Sequence, residues 1–234
     1  MNLPSLVLTA TLFAASSAGS AAQATKLALV FDPEMIDANV AYFEQVTGPA
    51  RKTYGNTRSY KVDGCDVEAT IARGSIRSLR MVLSPRCTFD LNKFLPNFSG
   101  RFPAAHAITF GTFDTITRGT GRFYSDCITG CGNAADPTVM EHWSGSRADL
   151  FFEIMLEVVL ANGPAIDASR AWYSAMEKIE GEQWVMDGKW NCTRKHDALA
   201  RRAFRDITIS SITIGYDVEA EEIKRLTGPL FCKP

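Results

Sequence analysis

The chain has 234 residues, of which 46% are hydrophobic and 10% aromatic, and a formal net charge of −1. That length and apolar content are those of a globular protein with one sizeable core, or with two small domains sharing an interface. A charge so near zero supplies no bulk field for nucleic acid or anionic lipid, so neither is expected as a partner.

Met1–Ala24 contains no charged residue. Leu6–Ala15 forms an apolar core, and Ala22-Gln23-Ala24 has the small-x-small form that signal peptidase accepts. A cleavable signal peptide over 1–24 is therefore expected, with cleavage after Ala24 and a periplasmic or secreted product. No later run reaches the roughly 20 apolar residues of a spanning helix, so no transmembrane segment is expected. All six cysteines, Cys65, Cys87, Cys127, Cys131, Cys192 and Cys232, follow the signal. An even count in an exporting compartment favours disulfides.

Asp32-Pro33 is a helix start, because Asp caps and Pro suits the first turn. Ile36, Val40 and Phe43 then recur at helical spacing until Gly48-Pro49, which predicts a helix over about 33–47. From Tyr60 the period changes to two. Tyr60 and Val62 precede the hairpin turn Asp63-Gly64; Cys65, Val67, Ala69 and Ile71 alternate up to Arg73-Gly74; Leu79, Met81 and Leu83 follow. A turn centred on Gly74 sets Val67 opposite Met81 and Ala69 opposite Leu79. It also brings Cys65 near Cys87, which predicts a Cys65–Cys87 disulfide. The order of helix, Gly-Pro and three-stranded meander over about residues 33–83 resembles the small outer-membrane-assembly proteins in shape, and no functional residue is carried across.

Residues 25–95 are thus expected to form a helix plus a three-stranded meander, and 96–234 a larger α+β part sharing the core. Leu91–Pro103 is rich in aromatic and turn residues and reads as a packed connector. His106, Ile108 and Phe110 alternate as in a strand. Arg122–Ile128 and Val139–Trp143 read as strands. Leu150–Leu160 fits two templates: a strand with an apolar face, or a helix with a polar stripe of Asp149, Glu153 and Glu157. Val158-Val159 favours the strand, as the central one. Asp167–Glu180 is a helix with Ala168, Ala171, Trp172, Ala175, Met176 and Ile179 on its apolar stripe. Trp184–Trp190 suggests a hairpin around Asp187-Gly188, Arg194–Arg205 a helix, and Ile207–Tyr216 a final strand. Cys192–Cys232 is a second expected disulfide. The fold class is α+β: antiparallel β-sheet meanders with helices packed on one face, disulfide-stabilised.

Three groups carry candidate chemistry. Cys127-x-x-x-Cys131 reads first as a structural loop disulfide and second as a redox dithiol. A zinc site of Cys127, Cys131 and His142 lacks a fourth ligand at any recognised spacing, so no metal or cofactor is expected. Glu141 and His142 are candidate acid–base residues, although neighbours in a strand point to opposite faces. The same stretch offers Arg118, Arg122, Trp143 and Arg147 as a surface for a polar or anionic ligand. The run Arg194, Lys195, Arg201, Arg202 and Arg205 is a solvated face or a docking site for an acidic partner. Nucleophile-elbow, zinc-protease and phosphate-loop motifs are absent from the sequence. The expected function is an exported, non-catalytic binding or envelope accessory protein. The alternative is a periplasmic enzyme, either a thiol-disulfide oxidoreductase at Cys127/Cys131 or a hydrolase using Glu141 or His142.

Overall fold

A computed structural model describes residues 25–98, 100–125, 127–128, 137–187, 191 and 193–220. The signal segment, Cys131, Cys192 and Cys232 lie outside the described residues, as does the tip of the expected Asp187-Gly188 hairpin.

The period-two stretch folds as a meander: β2 (Thr57–Val62), β3 (Cys65–Ala72) and β4 (Ser75–Val82). Both tight turns need positive φ at two successive positions, and Asp63-Gly64 (48° and 84°) and Arg73-Gly74 (52° and 80°) supply it. Val67 faces Met81 and Ala69 faces Leu79, and all four are buried, so the register follows the apolar pattern. Cys65 and Cys87 are joined, their Cα atoms 5.5 Å apart. A further strand, β1 (Lys52–Tyr54), pairs with β2 on the outer edge. It makes the meander four-stranded rather than three-stranded. All three of its residues are exposed, so no apolar alternation announced it.

The other half of the sheet comprises β5 (Arg122–Ser125), β6 (Thr138–Ser144), β7 (Glu153–Val159) and β8 (Ser211–Gly215). The order across the antiparallel sheet is β1-β2-β3-β4-β8-β7-β6-β5. The expected strand at 150–160 is present, but the middle of the sheet is β4 and β8, not β7. Every residue of β8 is buried, as a strand paired on both edges and covered on both faces requires.

Helices α1 (Lys26–Val30), α2 (Val40–Thr47), α3 (Phe110–Thr117), α4 (Gly163–Glu180), α5 (Glu182–Asp187) and α6 (Asp197–Ala203) accompany the sheet. Their buried residues, among them Val30, Phe43, Phe113, Trp172 and Ala200, share one core with Val67, Leu79, Ile154 and Ile212 of the sheet. Rings connect them: Trp172 lies edge-on to Phe204 and Phe123, and Phe113 edge-on to Trp143. The opposite face carries a polar row. There Arg80 grips the buried Glu157 with two bonds of 3.1 and 2.7 Å, and Ser211 donates to the same carboxylate. Among the described residues no helix is long and apolar enough to cross a membrane.

Several expected elements differ. The helix at 33–47 is broken: Asp32 caps a single 3-10 turn, Asp37 turns the chain at φ 67°, and Asn39 starts α2 afresh. His106–Phe110 is a 3-10 turn leading into α3, because Thr109 caps the helix by accepting from Thr112 N at 3.0 Å. Glu182–Asp187 is helical where a hairpin strand was expected. The basic helix begins at Asp197 rather than Arg194, whose φ of 59° is not helical. In α4 the buried face turns toward Ala165, Ser169 and Trp172, which leaves Ile179 61% exposed.

Cys87→Ser should lower unfolding stability by about 3 kcal/mol, the chain-entropy cost of opening a loop of this size. Urea denaturation without reductant should show the variant's midpoint below the wild type's, and the difference should vanish when both are reduced; coincident midpoints before reduction would refute a stabilising bridge.

Candidate functional site

Strand β6 presents successive residues to opposite sides of the sheet. Glu141 enters the helix-covered core and His142 the other face; they are 0% and 1% exposed. Neither lies on an exposed edge, because β6 is flanked by β5 and β7.

On the core side, Glu141 meets Asp114 of α3. Neither Glu141 oxygen, nor Asp114 Oδ1, finds a donor among the described groups. Two carboxylates cannot bond to one another; a carboxyl and a carboxylate can. Burial, and then the Asp114 charge and hydrogen bond, push the Glu141 carboxyl well above its ordinary range, so Glu141 holds a proton against Asp114. Arg201 of α6 closes the group. Its Nε donates to Asp114 Oδ2 at 3.0 Å and its Nη2 to the Gly121 carbonyl at 2.8 Å. Asp197, one turn earlier, accepts from Phe123 N at 3.1 Å and from Asn191 Nδ2 at 2.6 Å. Burial raises its pKa, against the bonds to Phe123 and Asn191 and the Arg201 charge. Gly121 leaves room for the pair: a Cβ there would sit 1.8 Å from Glu141 Oε1.

Asp114 and Arg201 also line a cleft of ≈ 370 Å³ between α3 and α6, with Gly111, Thr115, Gly119, Arg202 and Arg205. Its walls are fixed by backbone. Gly111 N donates to Arg205 O at 2.8 Å and Phe110 N to Ile207 O at 3.1 Å, and a Cβ on Gly111 would lie 2.5 Å from Arg205. Burial of Ala200 and Phe204 turns Arg201 half-inward and leaves Arg202 and Arg205 exposed. Among the described residues neither Arg202 nor Arg205 has an ion-pair partner. A neighbouring hollow of ≈ 320 Å³ shares Gly111, Thr115 and Arg205 and adds Asp206.

On the other face, His142 Nε2 lies 3.1 Å from Glu153 Oε2, and Glu219 N donates to that oxygen at 2.9 Å. Glu219 gathers Arg194 at 2.6 Å, Arg122 at 3.4 Å and the Tyr124 hydroxyl. Burial opposes ionisation of Glu219, but Tyr124, His142, Arg194 and Arg122 outweigh it and hold its carboxyl below the ordinary range. Burial and Glu219 push the Tyr124 phenol up. These contacts pin the chain at Val218–Glu219 to the sheet and leave His142 Nδ1 buried without a hydrogen-bond partner among the described residues.

The structure therefore brings His142 and Arg122 together, as cross-strand partners, and keeps both from Glu141. Trp143 packs in the core against Phe98 and Phe113. Arg118 is exposed at the C-cap of α3, and Arg147 is exposed in a 3-10 turn after β6. Cys127 is disulfide-bonded. Among the described residues no cluster of His, Cys, Asp or Glu could hold a metal ion. Asp114, Gly121 and Asp197 were missed by sequence reasoning. Only Asp114, one helical turn after Phe110, carried a usable signal: a charge on the side of α3 that Phe113 and Thr117 bury. The chain matches no family model, and no curated protein or solved structure is significantly similar to it.

The folded chain keeps a proton on Glu141 that the unfolded chain, with an ordinary value of 4.5, releases. The native state then binds more protons, so this contribution is full below about pH 4.5 and is lost as pH rises toward the folded value. Denaturation midpoints between about pH 5 and pH 9 should fall with pH in the wild type and much less in Glu141→Gln; parallel slopes would exclude a protonated Glu141. Gly121→Ala should cost about 1–3 kcal/mol by overpacking this space.

Proposed function

We propose that the protein is an exported, non-catalytic binding protein that takes an anionic group, borne by a polar ligand or by an acidic segment of an envelope partner, into the cleft between α3 and α6. The observation that carries this reading is the trio Arg201, Arg202 and Arg205 around a cleft of ≈ 370 Å³, two of them without a partner among the described residues. Guanidinium groups offer several N–H donors in a planar fork that matches carboxylate, sulfate and phosphate oxygens. Arg201 spends two donors on Asp114 and Gly121 and keeps others for the cleft.

Export is supported by the uncharged, apolar Met1–Ala24 with its small-x-small end, and by the Cys65–Cys87 disulfide, which suits an oxidising compartment. The enzyme readings draw less support. Glu141 and His142 occupy opposite faces and are both buried, so they do not form one acid–base site. Cys127 is in a disulfide, which is the state the structural reading of this cysteine requires.

Titration of the whole exported protein with inorganic sulfate and with a hexaglutamate peptide tests the cleft. Saturable binding is expected for at least one probe, weakened at least tenfold in Arg202→Gln/Arg205→Gln, since each charge-assisted bond lost is worth on the order of 1.5–3 kcal/mol. Wild-type protein that binds neither, or a double variant that binds as well as wild type, would overturn the assignment. N-terminal sequencing of protein from the periplasmic fraction should begin at Thr25.

A further inference from the structure

Asp114 poses a difficulty for an anion-binding cleft, because a carboxylate in the lining repels the ligand. The buried pair behind it resolves the difficulty and adds a property. Resting on the cleft reading above, we propose that anion binding between α3 and α6 is coupled to a proton held by Glu141 against Asp114, so that the cleft takes its ligand together with a proton and holds it more tightly as pH falls.

The groups facing Glu141 are few. Asp114 comes from α3, Arg201 and Asp197 from α6, and the Gly121 backbone from the chain before β5. Its neighbours across the sheet, Phe123 and Leu156, are apolar. Asp197 is committed to Phe123 N and Asn191. Among the described residues Arg201 is thus the cation that serves both carboxyl groups. With the proton present, Asp114 and Glu141 together carry one negative charge, which Arg201 balances, and the positive charge of Arg202 and Arg205 is left for the ligand. Without it the pair carries two charges, and one of them looks into the cleft.

The coupling has a direct physical path. Arg201 touches Asp114 at 3.0 Å and lines the cleft. An anion that draws on the Arg201 guanidinium weakens its hold on Asp114. The cation that opposes protonation of Glu141 is then partly withdrawn, and Glu141 binds its proton more strongly. Linkage makes the effect reciprocal: a proton that favours the anion is favoured by the anion to the same degree. No bond is made or broken beyond the proton's, which comes from solvent. Burial amplifies the charge balance, since both Glu141 oxygens and Asp114 Oδ1 are out of contact with the surface.

Sulfate is the suitable probe, because its charge does not change between about pH 5 and pH 9. Calorimetric titration of wild-type protein in two buffers of different ionisation enthalpy gives the number of protons taken up per sulfate bound. A value above zero, approaching one within the titration range of Glu141, is expected, and affinity should fall by up to tenfold per pH unit across that range, the limit for one linked proton. Glu141→Gln, whose amide can donate to Asp114 as the carboxyl does, should flatten that profile and abolish the proton uptake. Sulfate binding with no proton exchange in the wild type, or with equal pH profiles in wild type and Glu141→Gln, would overturn the coupling and leave the cleft standing. Absence of binding to both sulfate and hexaglutamate at every pH would overturn the cleft itself and the coupling with it. Because the proton count uses the wild type alone, the outcome does not depend on the variant folding.

Discussion

The pairing of β8 with β4 on one side and β7 on the other is the constraint on which the architecture depends. Without it, β1–β4 and β5–β7 would be two small sheets, each ending in an unpaired strand. With it, Leu79 aligns with Ile214, and Ile214 with Ile154, in one apolar row across the middle of the sheet. The fit is close. Gly215 stands where a Cβ would lie 2.1 Å from Arg77 O, so only glycine permits the backbones to meet there. Residues from both halves of the chain thereby enter one core. The connector at Leu91–Leu95 fills it with Leu91, Phe94 and Leu95 rather than bounding it.

Against this apolar frame, the protein buries charge in three ways on the same few strands. Glu157 is clasped by Arg80 and two hydroxyl-bearing neighbours. Glu219 is ionised beside two arginines, a tyrosine and His142. Glu141 lacks such company and keeps its proton instead. The differences follow from the donors within reach and from depth: Glu141 and Glu157 are fully buried, Glu219 only partly, and of the two buried carboxylates only Glu157 meets an arginine and hydroxyl donors. The first two solutions hold parts of the fold together. The third leaves a group whose charge state responds to what happens to Arg201.

Local chemistry made much of this legible in the sequence. The Asp63-Gly64 and Arg73-Gly74 turns, with the alternation between them, specify the β2–β4 register and through it the Cys65–Cys87 bridge. The Glu153/Glu157 spacing did not separate helix from strand, because residues four apart share a face in both; the β-branched Val158-Val159 did. His106–Phe110 misled for a related reason. Apolar residues two apart mimic a strand when a 3-10 turn precedes a helix, and the cap at Thr109 was the better guide. The functional cluster was the least legible part. Glu141 and His142 drew notice as neighbours in sequence, yet the strand separates them. Asp114, Gly121 and Arg201 come from three elements joined only by tertiary packing, and no spacing records that meeting.

The Cys65–Cys87 bridge closes a segment only 22 residues apart in sequence, within the meander that needs no contact with the rest of the chain to set its register. Cysteines so placed find each other early, because the cost of closing a loop grows with its length. If the chain is exported as proposed and enters an oxidising compartment from its N-terminal end, this pair can seal before Cys192 and Cys232 emerge. Two thiols are thereby withdrawn from the pool, and the fifteen pairings open to six cysteines shrink to the three open to four. The short bridge thus acts on the order of oxidation as well as on stability: it spares the later cysteines a wrong partner.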